Sequence, residues 1–122
     1  MSNFQIPLSC PVGTSIYENT TSNTTAGTVS ASAGTVYQVQ VDNRNNDVAV
    51  WTKLYDNATP VIGTTDPELL VKCRAGKRTT VSYGRLGVGN FGTAITEATV
   101  SDSGGTAGTT APTNAVKVKV WI

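Results

Sequence analysis

The sequence predicts an all-β fold: an antiparallel β-sandwich, jelly-roll or immunoglobulin-like, of about seven to eight short strands in one domain over residues 1–122. Three observations point there. Thr, Val, Gly, Ser and Asn dominate while Leu, Glu and Lys are scarce, and β-branched side chains suit pleated surfaces as Gly and Asn suit turns. Apolar residues recur with period two in short runs, with turn chemistry about every 8–12 residues. No stretch between these runs has a helical period, which argues against a parallel α/β sheet. At 39% hydrophobic and 14% charged, the chain can bury one core.

Phe4, Ile6, Leu8 and Cys10 alternate with polar or small residues as far as Pro11 and Gly13. That pattern fits a short strand or an extended N-terminal arm over 1–13. Ser15 to Tyr17 can pair briefly. Residues 18–27 are expected to be an exposed polar loop, and their two Asn-Thr-Thr triplets match the glycosylation sequon. A short strand follows over Thr28 to Ser32. In Val36 to Asp42, Tyr37, Val39 and Val41 face one way and Gln38 and Gln40 the other. The Asx-rich segment 43–47 reads as a turn leading into Val48 to Tyr55, so the two strands are expected to form a hairpin.

Val48, Val50 and Leu54 line one side of that second strand; Ala49, Trp51, Lys53 and Tyr55 line the other. Asp66-Pro67-Glu68 resembles a helix start, but only Leu69, Leu70 and Val71 follow, so a strand entered through a proline turn is expected. Residues 74–78 form a turn before the alternation of Thr79, Val81 and Tyr83. Ile95 to Val100 is a further strand, and the Gly/Thr/Ser/Ala-rich segment 101–114 is a surface loop. Ala115 to Ile122 alternates most cleanly, with Val116, Val118, Val120 and Ile122 opposite Lys117, Lys119 and Trp121. The expected core is Val39, Val41, Val50, Leu54, Val81, Val116, Val118 and Val120.

Several chemistries are disfavoured. The chain has no histidine, so a Ser-His-Asp or Cys-His arrangement cannot form within it. Two distant cysteines, Cys10 and Cys73, read as buried free thiols, with a disulfide between them as the alternative, rather than as metal ligands. The glycine run 87–92 matches a dinucleotide fingerprint, but the residues after it favour a strand where that motif needs a helix. The Asx run 42–47 holds oxygen ligands, yet Arg44 sits in its middle and no glycine tightens it for calcium. No enzymatic activity, cofactor or metal is expected. A net charge of +1 gives no general pull towards nucleic acid or anionic membranes, and no apolar run is long enough to span a bilayer. The N-terminus lacks signal-peptide features, so synthesis and folding in a cytoplasm are expected.

Candidate interface residues remain. Lys72, Arg74, Lys77, Arg78 and Arg85 concentrate charge; they are a solvated turn or a patch for an acidic protein surface, with nucleic acid the third reading because no aromatic platform is interleaved with them. Trp51, Tyr55 and Trp121 lie opposite their strands' aliphatic rows, so they either pack under loops or face a partner. Phe4, Ile6 and Leu8 of the arm complete the set, as β-augmenting residues.

Several stretches together resemble small tailed-bacteriophage virion proteins of the capsid decoration, or cement, type. These are Tyr37–Asn43, Trp51–Asp56 continuing through Val61–Pro67, Phe91–Thr99, and the Gly/Thr loop with Thr110-Ala111-Pro112 before the terminal Val/Lys strand. The resemblance covers about residues 34–122. It implies a β-sandwich on the outside of a capsid, with the major capsid protein as partner and a homo-oligomer, dimer or trimer, as the bound form. It implies no enzymatic role. The alternative expectation is an adhesion or carbohydrate-binding module of a phage tail or fibre.

Overall fold

The computed structural model describes residues 15–122. Their ten strands are β1 (Ile16–Ser22), β2 (Gly27–Ser30), β3 (Gly34–Val36), β4 (Gln38–Asp42), β5 (Val50–Tyr55), β6 (Leu69–Cys73), β7 (Arg78–Ser82), β8 (Val88–Phe91), β9 (Ile95–Val100) and β10 (Val116–Trp121). All pairings are antiparallel.

One four-stranded sheet runs β1-β10-β4-β7, a second runs β2-β9-β5-β6, and β3 pairs with β8. Successive pairs nest: β1 with β10, β2 with β9, β3 with β8, β4 with β7, β5 with β6. The chain is thus one long two-armed ribbon, doubled back at the β5–β6 connection and rolled. The pairings β10·β4 and β5·β9 fasten the roll into two sheets. Adjacency of these sheets removes much of the exposed edge that a flat ribbon would carry.

The core lies between the sheets. Val39, Val41, Val116, Val118 and Val120 from the first meet Val50, Leu54, Val71, Cys73 and Ile95 from the second, and Val36 and Phe91 of the small sheet join them. Seven of the eight expected core residues have no exposed surface. Val81 is half-buried because β7 is an edge strand.

Several expectations need correction. The described residues hold ten strands where about seven to eight are expected, the surplus arising because short pieces such as β3 and β8 leave no periodic trace. Segment 18–27 is not all loop: β1 runs to Ser22, its inward positions being polar and so invisible to an apolar period. The expected hairpin across 43–47 does not form, since β4 and β5 belong to different sheets. Alternation is the same for a hairpin and for an arch. Segment 43–49 is long enough to cross the roughly 10 Å between packed sheets. Val48 accordingly falls outside β5 and is 46% exposed. The glycine run 87–92 carries strand β8, whose register against β3 shifts between Phe91 and Val88. The proposed arm, with Phe4, Ile6, Leu8 and Cys10, lies outside the described residues.

Candidate functional site

The two sheets treat their outer faces differently. On the second sheet, Lys53, Tyr55, Ala98 and Val100 have no exposed surface although they point away from the core, and Thr96 has 1%. Their cover is the chain itself. The Thr96 hydroxyl donates to Asn57 O at 2.8 Å, Lys53 Nζ donates to Gly105 O, and the Thr106 hydroxyl donates to Asp66 at 2.5 Å. Segments 56–68 and 101–114 therefore form one roof. Gly104 lies so close to the indole of Trp51 that a Cβ would sit 2.6 Å from its Nε1. Burial pulls the Lys53 ammonium below its ordinary pKa, with nearby Asp102 opposing the shift. Tyr55 is part of this roofed layer and its hydroxyl is buried without a partner. Trp51 is half-buried there, with Lys72 Nζ 5.5 Å above its ring.

Nothing among the described residues roofs the first sheet. Register sets its outward residues in rows: Ile16, Trp121, Gln38 and Ser82; then Glu18, Lys119, Gln40 and Thr80; then Lys117, Asp42 and Arg78. Ile16 is 61% exposed and Trp121 is half-buried beside it. Lys119 lies 3.9 Å from Glu18, and Arg44 holds Asp42 at 2.8 Å. The Arg44 hydrogen bond is the main reason the Asp42 carboxyl titrates below its ordinary value.

Past the third row, the β4–β5 arch and the β6–β7 turn meet. The Asn43 side chain ties them: its Nδ2 donates to Val48 O, Cys73 O and Arg74 O at 2.9–3.3 Å. Asn46 Nδ2 donates to Asn43 Oδ1, and Asn46 Oδ1 accepts from the backbone N–H of Asn114. On this frame stand Arg44, Arg74, Lys77, Arg78 and Lys117, all exposed. The basic run 72–85 is thereby divided. Arg74, Lys77 and Arg78 come together with Arg44 and Lys117, which sequence spacing does not connect to them. Lys72 goes to the other sheet's outer face, and Arg85 goes to the β7–β8 turn at the far end beside Leu86, which is 91% exposed. Cys73 is buried behind the frame, its Sγ 3.2 Å from Lys77 O.

A buried carboxylate was not legible as a site. Glu97 on β9 points into the sandwich and has no exposed surface. Its Oε1 accepts from the Tyr17 hydroxyl at 3.0 Å and from Asn19 Nδ2 at 2.7 Å; its Oε2 accepts from the Ser22 hydroxyl at 2.6 Å. All three donors are on β1, in the opposite sheet. With Ser22 donating to Glu97, its oxygen accepts from Thr99 at 2.7 Å, and Thr99 in turn accepts from Thr52 at 2.9 Å. Burial pushes the Glu97 pKa up, and the three donors oppose it. Burial first, and the Glu97 charge second, push the Tyr17 hydroxyl up as well. Closed off from solvent and saturated with donors, Glu97 acts as a tie between sheets. The one hint in the sequence is a carboxylate in the middle of a β-branched run, Ile95 to Val100.

Among the described residues, no group of three or more His, Cys, Asp or Glu side chains converges to hold a metal ion. Among the described residues, no helix is long and apolar enough to cross a membrane. No protein-family model, curated protein or solved structure matches the chain.

Proposed function

We propose that this chain is a structural virion protein that binds the outside of a tailed-phage capsid and stabilises it, working as a homo-oligomer on the major capsid protein. The observation that carries the reading is the nested pairing of a rolled ribbon. Its sheet orders, β1-β10-β4-β7 and β2-β9-β5-β6, support a jelly-roll reading of the sandwich once the small β3·β8 sheet is set aside. Viral capsid and lectin domains share that architecture. An immunoglobulin-like sandwich instead sets its first two strands side by side in one sheet, whereas β1 and β2 here lie in different sheets. The resemblance of residues 34–122 to decoration proteins adds to this. Its Trp51–Asp56 and Val61–Pro67 stretches supply the roofed strand β5 and part of the roof.

Binding only to the assembled shell stabilises that shell by mass action. Particles lacking the protein are therefore expected to release their genome at lower temperature or lower osmotic stress, and adding purified protein back restores resistance. Equal resistance with and without it sinks the cement reading. The second reading, a carbohydrate-binding module, is supported by Trp121 lying beside Gln38 on the open face. Saturable binding to a glycan array that Trp121→Ala abolishes, with no effect of the protein on heads, would move the assignment there.

A further inference from the structure

We infer that the open face of the first sheet, together with its basic end, docks on a carboxylate-rich protein surface; the decoration reading supplies only the identity of that surface. The inference begins with the asymmetry of the sandwich. On one outer face the chain's own loops roof the middle, along β5 and β9, so that Lys53 has no exposed surface, and the β6 edge with Leu70 and Lys72 is left open. The other presents three in-register rows with no cover among the described residues. Those rows are graded. Ile16 and Trp121 make an apolar strip at one end, Gln40 and Thr80 are joined by a hydrogen bond in the middle, and Lys117 and Arg78 flank Asp42 at the other end.

Charge decides the occupant. The basic end carries five exposed cations against Asp42 and Asp47, while the whole chain carries only +1. Arg44 already neutralises Asp42, which leaves Lys117 and Arg78 with no carboxylate in salt-bridge range among the described residues. The Asn43–Asn46–Asn114 ties hold the turns beneath these cations, so little ordering is needed on contact. Trp121 and Lys117 are four residues apart on one strand, about 13 Å at strand rise. The partner surface thus pairs an apolar site with an acidic strip at that separation. Nucleic acid fits less well. No aromatic side chain of the described residues stands among the cations of that end, and the rest of the molecule is net acidic. The positive face also opposes a second copy of itself.

Retention on immobilised poly-L-glutamate tests the face without a known partner. Lys117→Glu/Arg78→Glu is compared with Lys72→Glu/Arg85→Glu, which changes net charge equally but lies off the face. Thermal melts confirm that both variants fold. The wild type is expected to bind in a salt-sensitive way, the first variant about tenfold more weakly, and the second within about twofold of wild type. Equal weakening of both variants overturns the docking face. So does a gel shift of duplex DNA by the wild type at physiological salt, or self-association that the first variant abolishes. Co-sedimentation with stripped heads reads the decoration function separately. Heads that bind neither wild type nor variants sink that function, while the polyglutamate result still decides the face.

Discussion

The Tyr17 hydroxyl on β1 donates to Glu97 Oε1 on β9, 3.0 Å away, joining the edge strand of one sheet to an inner strand of the other. Asn19 and Ser22 of the same strand bond the same carboxylate. At this side of the sandwich a charge and its donors do what Val and Leu do elsewhere.

Removing that charge tests its role. Glu97→Ala strands three donors in the interior and leaves a cavity, so it is expected to cost about 2–5 kcal/mol in denaturant unfolding. A loss under about 1 kcal/mol contradicts the tie.

The pH response follows from the direction of the Glu97 shift. Its folded pKa is raised above the ordinary 4.5, so the folded state holds the proton more tightly than the unfolded state. The resulting stability is fully present below the unfolded pKa and is lost as pH rises through the folded one. Asp42, Asp56 and Asp102 are shifted down and contribute with the opposite sign. The stability difference between wild type and Glu97→Gln isolates the Glu97 part. That difference should move in favour of wild type as pH falls from 7 towards 4.5; a difference flat across this range refutes the shift.

Gly27 is held to glycine by the same cluster. A Cβ there would fall on the Tyr17 hydroxyl and lie 2.7 Å from Glu97 Oε1. Gly27→Ala is expected to cost about 1–3 kcal/mol by displacing Tyr17. Adding Tyr17→Phe removes the clashing atom, so the double variant should be less damaged than the sum of the singles. Additive losses would show that the alanine acts elsewhere.

The roof depends on Lys53. Its ammonium reaches Gly105 O from strand β5 and is otherwise enclosed. Lys53→Ala is expected to speed amide exchange across 101–114 while leaving Val118 and Val120 protected. Unchanged exchange in that loop means the roof is held by its remaining contacts, such as Asp102 with Thr109 and Thr110.

Asn43 is the keystone of the arch. Asn43→Ala leaves three carbonyls and the Asn46 amide short of a partner, and is expected to cost about 2–4 kcal/mol. Asn43→Asp keeps the acceptor but loses the donors, and should recover little. Recovery to wild-type stability by aspartate would mean that the donors are not what matters.

By itself the sequence determined that β10 buries Val116, Val118 and Val120, that β4 buries Val39 and Val41, and that segment 101–114 is loop. Period-two alternation and turn chemistry are local properties, and a strand with one apolar face carries them whatever it pairs with. Tertiary structure alone decided that β4 and β5 part into different sheets, that five cations gather at one end, and that segments 56–68 and 101–114 roof Lys53 and Tyr55. It also decided that Glu97 finds its donors on a strand some eighty residues earlier. Partners that far apart leave no pattern in either segment, because burying Glu97 is tolerable only once Tyr17, Asn19 and Ser22 have been brought to it.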